Sequence, residues 1–214
     1  MPAERRRAPA QPAAIELLAR DGRPVLIRPI VSEDKARLVE AFQGLSEESR
    51  VRRFMSPLRE LTPEQLRYLT EIDYRDHMAW GALDPAAPGE PGLGVARYVR
   101  LAEEPDVAEA AVTVVDEHQG RGIGTLLLGM LAITARGAGI HRFRAYVLEG
   151  NSPMLDILLD LGARIEREEG GMLRVDVPIP ENPEDLPDTP TGRVFKAVAK
   201  RVIPPFSLVT RALP

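Results

Sequence analysis

The stretch Glu109-Ala-Ala-Val-Thr-Val-Val-Asp-Glu-His-Gln-Gly-Arg-Gly-Ile-Gly-Thr125 constrains this chain more than any other. Ala110, Val112, Val114 and Val115 make a short apolar run of strand length. Beyond the glycines, Leu127, Met130, Leu131 and Thr134 recur at helical spacing, so the hydrophobic period switches from two to 3.6 across the loop. A strand that turns through glycines into a helix leaves the first helical N–H groups without acceptors, and the helix dipole favours an anion there. The dinucleotide fingerprint does not fit, because Gly120, Gly122 and Gly124 alternate and Thr125 stands where a third glycine belongs. Nor does the P-loop, since no Gly-Lys-Ser/Thr follows. A glycine-rich turn without a ligand is the plain alternative.

The 214 residues are enough for one domain with tails. A net charge of -4 gives no electrostatic case for nucleic acid. The absence of cysteine leaves neither a disulfide framework nor a thiolate metal site, and three scattered histidines do not make a catalytic metal centre. Arg5-Arg6-Arg7 is followed by Ala- and Pro-rich sequence instead of an apolar core, so residues 1–14 read as a disordered leader and not a signal peptide. No run reaches the length of a membrane span. A cytoplasmic protein is expected.

Asp21-Gly22 between two apolar runs predicts a hairpin. Ser32 is placed to cap a helix ended by Gly44, Ser46 starts a second through Phe54, and Thr62-Pro-Glu-Gln65 carries a capping box for a third. Strands are predicted over 78–83 and 93–101, separated by a Pro/Gly-rich loop, and again over 141–148. A helix from Asn151 ends at Gly162, and a closing hairpin spans 163–177. This order predicts a mixed α/β fold. Prolines and acids make 178–190 a linker. Residues 191–214 then read as an amphipathic helix and tail, with Val194, Phe195, Val198 and Val202 on one face of the helix over Thr191 to Ile203 and basic residues elsewhere. That helix could dock on its own domain or on a sister subunit in a homodimer; the rival readings are contact with a substrate protein or a membrane surface.

Gln119-Gly-Arg-Gly122-Ile-Gly124 resembles the acyl-CoA pyrophosphate loop of the GNAT superfamily of N-acyltransferases. Asn151-Ser-Pro-Met-Leu-Asp-Ile-Leu-Leu-Asp-Leu-Gly162 resembles the helix that follows the family's fifth strand, whose Asn contacts pantetheine. Phe42-Gln-Gly-Leu-Ser-Glu-Glu-Ser-Arg50, Arg53-Phe54, Pro57 to Thr62, Ile72-Asp-Tyr74 and His77-Met-Ala79 are similar to the acetyltransferase domain of bacterial Pat-type protein lysine acetyltransferases, over about residues 15–177. No cyclic-nucleotide-binding or synthetase-like domain is read in this stretch, although Pat-type proteins often carry one. The resemblance implies a mostly antiparallel sheet whose fourth and fifth strands splay around pantetheine, with helices on both sides.

It further implies acetyl-CoA as cosubstrate, held by Gln119, Gly120, Arg121, Gly122, Ile123, Gly124, Thr125, Asn151 and the strand edge at Val114 and Val115, with no metal. The acceptor implied is a protein lysine, with an acyl-CoA synthetase as the candidate partner. A lysine amine is protonated at neutral pH, and freeing it costs about 4.6 kcal/mol. Glu109, ten residues before Gln119, stands where the family places its general base; burial beside an apolar cleft would raise its pKa. The N–H of Val114 is assigned to polarise the thioester carbonyl. Leu158 occupies the position where many relatives carry a Tyr acid, leaving Tyr74 only as a remote substitute. His118 reads as a solvated loop residue, and His77 as hydrogen-bonded structure or an acceptor-site wall. The rivals are a small-amine acetyltransferase and a non-catalytic acyl-CoA-sensing module.

Overall fold

The computed structural model describes residues 11–202; the expectations for the first ten residues and for 203–214 lie outside them. The chain opens with β1 (Ile15–Leu18) and β2 (Pro24–Pro29), joined by the Asp21-Gly22 turn, in which Gly22 takes φ +80°. Three helices follow: α1 (Lys35–Gln43), α2 (Glu47–Phe54) and α3 (Pro63–Thr70). Ser46 caps α2 through the Ser49 N–H, and Thr62 and Gln65 close the expected capping box on α3.

Two details of α1 differ from expectation. Ser32 begins a single 3₁₀ turn and caps nothing. Asp34 organises this entry instead, accepting from the Val31 N–H at 2.9 Å and from both Arg28 guanidinium nitrogens at 2.7 and 2.6 Å. Gly44 ends the helix at φ -74°, so it is not there for a left-handed turn. A Cβ on it would meet Val115 Cγ1 at 2.9 Å, and close approach to the sheet is the reason for the glycine.

The remaining elements are β3 (His77–Leu83), β4 (Gly92–Arg100), β5 (Val107–Val114), α4 (Ile123–Gly137), β6 (Arg142–Leu148), α5 (Ser152–Asp160), β7 (Arg164–Arg167), β8 (Met172–Pro178) and α6 (Pro190–Val202). They complete one eight-stranded sheet in the order β1-β2-β3-β4-β5-β6-β8-β7. Every neighbouring pair is antiparallel except β5 and β6. Their parallel pairing covers only Val107↔Arg142 to Glu109↔Arg144; beyond it the two strands part. These are the two strands expected to splay, and the expected mixed α/β architecture is present.

Alternation along the strands sorts the two layers. Trp80, Ala96 and Tyr98 face α4, where the Trp80 indole N–H donates to Thr134 Oγ1 at 3.0 Å. Val95, Arg97, Thr113 and Val115 face the opposite layer of α1 to α3. Residues 179–189 run back over the domain: the Ile179 N–H bonds to His141 O, and Thr189 Oγ1 bonds to Asp160 O. Helix α6 then packs Phe195, Val198 and Ala199 on α4. Val198 lies 3.5 Å from the place a Cβ on Gly129 would occupy. The apolar face of α6 is thus covered within its own chain.

Candidate active site

At the top of the splay, β5 passes through Val115 and one 3₁₀ turn into the glycine loop. Gly120 and Gly122 adopt φ +73° and +81°, values that strain any side chain. Gly122 then stands as N-cap of α4. No acceptor within the described residues meets the N–H groups from Gly120 to Thr125; the first helical bond is Leu126 N–H to Gly122 O. Six unpaired N–H groups in succession, at the positive end of a helix, suit a pyrophosphate. Ile123 contributes only its backbone there, since its side chain is buried in the core.

The loop is braced from two sides. The Gln119 side-chain amide donates to Val114 O and Asp116 Oδ1, both at 3.2 Å. The β1–β2 hairpin binds it through Arg20 N–H to Arg121 O at 2.9 Å and through Arg121 Nε to Asp21 Oδ2 at 2.7 Å. Arg121 therefore turns its guanidinium to the hairpin and not into the cleft, and its proximity holds the Asp21 carboxyl below its ordinary pKa. His118 contacts Arg121 and Glu117 beside the loop.

Which strand edge faces the splay follows from one bond. The Val115 N–H donates to Leu93 O on β4 at 2.9 Å. In an antiparallel ladder donors alternate between the two sides, so Val112 and Val114 point into the splay and Val115 points away. The expected edge of Val114 and Val115 is accordingly Val112 and Val114. Asn151 starts α5 on the far wall; its backbone carbonyl accepts from Met154 and Leu155, and its side-chain amide makes no hydrogen bond with the described residues.

Glu109 sits at the vertex, paired in register with Val99 on one side and Arg144 on the other. It is exposed, contrary to the burial expected, because α2 covers its face of the sheet only in part. Arg144 does not capture it: that guanidinium is taken by Glu104 at 2.6 Å and Asp176 at 3.0 Å, which raise its pKa. Arg53 on α2 faces Glu109 without an ion pair of its own among the described residues. Burial lowers the Arg53 pKa, and the Glu109 charge offsets part of that.

Behind Arg53, buried Arg97 donates to Leu69 O and contacts His77 Nε2, both at 3.0 Å. Burial first, then Arg53, lowers Arg97 to about 9. Burial first, then Arg97, lowers His77 to about 4, so His77 is the neutral acceptor in this pair. It is packed structure and not an acceptor-site wall. Tyr74 donates its hydroxyl to Ile30 O and is outside the cleft.

Glu109, Val114, Gln119, Gly120, Gly122, Ile123, Gly124, Thr125 and Asn151 line a single cleft of about 1570 Å³; Val115 and Arg121 do not. Three contributors were not anticipated: Arg20 beside the loop, Tyr146 as the one tyrosine among the lining residues, and the stripe Val194, Ala197 and Arg201 of α6. Arg20 adjoins the turn signal Asp21-Gly22 and was readable only as a hairpin residue. Tyr146 shares its strand face with Arg144 by period-two spacing, which is a signal only once β6 is known to border a gap. Among the described residues no group of three or more His, Cys, Asp or Glu could hold a metal, and no helix is long and apolar enough to cross a membrane.

The model of the acetyltransferase (GNAT) domain matches residues 25–164. Acetyltransferase Pat of Mycolicibacterium smegmatis is 38% identical over 208 residues, 92% of this chain and 60% of that protein, so the chain spans less than two thirds of that relative's length. The crystal structure of the GNAT domain of S. lividans PAT superposes with a TM-score of 0.72 at 33% identity, covering 78% of this chain and 98% of that one. A Salmonella typhimurium protein solved with its cofactor acetyl-CoA shares the fold, with a TM-score of 0.59 at 17% identity over 74% of this chain and 95% of that one. With a family model spanning residues 25–164 and the glycine loop, splayed strands and Asn151 helix in one cleft, this chain belongs to the GNAT acetyltransferase family and resembles its Pat-type members.

Proposed function

We propose that this protein transfers an acyl group, acetyl in the simplest case, from a CoA thioester to the side-chain amine of a lysine on a protein. The observation that carries the reading is the convergence on one cleft of six unpaired N–H groups, a strand edge without a partner strand and a carboxylate without an ion pair at the vertex, among the described residues. The loop from Gln119 to Thr125 takes the pyrophosphate. The polar groups of Val112 and Asn151 take the amides of the pantetheine arm, which is an amide-bearing chain suited to a strand edge, the Val114 carbonyl being already bonded to Gln119.

Glu109 accepts the proton of the incoming ammonium, directly or through water. The freed amine forms the new C–N bond at the thioester carbonyl, the C–S bond breaks, and CoA leaves as its thiolate. The Val114 N–H stabilises the charge that gathers on the carbonyl oxygen. A thiolate is a good leaving group, so Leu158 in place of a tyrosine is tolerable. A protein acceptor is favoured over a small amine because the cleft is open, its lining acids are only Glu109 and Glu181, and Leu18, Met55 and Tyr146 expose apolar surface along it. A polyamine site would gather carboxylates.

The test is the intact mass of a purified acyl-CoA synthetase after incubation with acetyl-CoA and this protein, with Glu109→Gln in parallel. One acetyl added by the parent alone supports both acceptor class and base. No added mass, with acetyl-CoA binding confirmed by calorimetry, overturns the acceptor assignment; full turnover by Glu109→Gln overturns the base.

A further inference from the structure

The cleft does not end where the chemistry needs it to end. Its volume of about 1570 Å³ includes the loop region and the open groove beside α2, and also a lower part lined by Leu128, Ala132, Phe143, Leu158 and Ile179. From the glycine loop it continues past the vertex at Glu109 and Arg144, between α4 and α5 and beneath α6, to Arg136 in the last turn of α4. Fifteen helical residues make that run about 20 Å long.

The walls of the lower part are apolar and incompletely packed. Leu128, Ala132, Phe143, Leu158 and Ile179 retain 6, 8, 5, 5 and 8% exposure, whereas Leu127 and Leu131, on the opposite side of α4, retain none. Space lined by such groups holds water poorly and favours an apolar occupant. Its orientation is fixed by α6. The N-terminal turn of α6 is held to the end of α5, where Asp160 Oδ2 accepts from Thr191 N–H at 3.2 Å and Thr191 Oγ1 at 2.8 Å. Phe195, Val198 and Ala199 pack on α4 and also border the cleft, and Val194 continues that apolar wall, while Ala197 and Arg201 lie at its solvent-exposed rim.

We propose that the lower channel takes the hydrocarbon chain of an acyl-CoA longer than acetyl, with the CoA end anchored at the glycine loop. This rests on the CoA reading of that loop. A free fatty acid fits less well: Arg136, the cation at the lower end, is already paired with Glu181 at 2.9 Å. The polar head of the ligand belongs at the upper end, where the unpaired N–H groups stand, and continuity of the two spaces joins it to an apolar tail.

The experiment is calorimetric titration of the full chain with acetyl-CoA and with decanoyl-CoA below its micelle concentration, repeated on Val194→Trp and Ala132→Phe, each checked for folding by its thermal melt. Each buried methylene strengthens binding about fourfold, so decanoyl-CoA should bind at least about 100-fold more tightly than acetyl-CoA even if only some of its methylenes are fully buried. Either bulky variant should collapse that ratio toward one with acetyl-CoA affinity unchanged. Equal or weaker binding of decanoyl-CoA by the parent overturns the channel, as does a ratio that survives both substitutions. Failure of acetyl-CoA itself to bind sinks the CoA reading instead.

Discussion

Gly192→Ala tests whether α6 is held by the geometry described. A Cβ at this position would lie 2.0 Å from Pro187 O and 3.0 Å from Thr189 Oγ1. The 187–192 segment must retreat by at least about 1 Å to reach a non-bonded separation. It cannot do so and keep Asp160, which binds Thr189 and Thr191 through three hydrogen bonds of 2.7 to 3.2 Å. Two of these end on the carboxylate, where a bond contributes about 1.5–3 kcal/mol. Phe195 and Val198 lie one and two turns further on, each worth about 1.5–3 kcal/mol when fully buried. Partial loss of the first and partial loosening of the second predict about 2–4 kcal/mol of destabilisation. Urea unfolding should report it, and amide exchange should quicken in α6 while β3 to β5 remain protected. Gly137→Ala is the control, with nothing within 4 Å of its Cβ and helical backbone around it. An unchanged midpoint with slow exchange in α6 would refute the argument.

Two further substitutions address the loop and pH. Gly122→Ala at φ +81° carries about 1–2 kcal/mol of backbone strain, and its Cβ would meet only Arg20 at 3.7 Å. The protein should therefore fold and lose at least about tenfold in acetyl-CoA affinity by calorimetry, whereas Gly139→Ala, at φ +80° outside the cleft, should lose stability alone. His77 has its folded pKa lowered from 6.5 to about 4. Between those values the unfolded chain binds a proton that the folded one does not, so stability falls as pH drops from about 6.5 toward 4, by no more than about 3 kcal/mol. His77→Gln, which can still accept from Arg97, should flatten that part of a stability-versus-pH curve.

Residues that act through local chemistry were legible in the sequence. The capping box at Thr62 and Gln65, the turn at Asp21-Gly22, the glycine loop and the left-handed stop at Gly162 each need only neighbours in the chain, and the structure has them. Ser32 misled because the preference for Ser at a helix start is local, while Asp34 is selected by a partner six residues away on β2. Val115 misled for a related reason. Which of two adjacent valines faces the splay depends on the hydrogen-bond phase between β4 and β5, and that phase is fixed by their long-range register. Burial of Glu109 could not be judged either, since it depends on how far α2 reaches across the sheet.

The short parallel pairing of β5 and β6 is the fact from which the site follows. Parallel strands joined through a helix would ordinarily continue their ladder, and here it stops at Glu109 and Arg144. Beyond that point Val112 and Val114 retain polar edge groups within an otherwise apolar cleft, with Gln119 satisfying one of them, the Val114 carbonyl. Unpaired backbone beside apolar walls is costly unless something polar and extended lies along it. The cost is tolerated because α4 and α5 splay with their strands, opening a space between them that α6 then roofs. The roof meets α4 at Gly129, where Val198 and Phe195 come within 3.5 and 3.6 Å of the place a Cβ would occupy, an ordinary packing distance. The separation of the strands supplies the polar edge above the vertex, and the space between α4 and α5 carries the cleft on over the paired part of the sheet below it. A ligand with an amide-bearing arm and a hydrocarbon end matches both halves, whereas the proposed acetyl-CoA has a counterpart for the first alone.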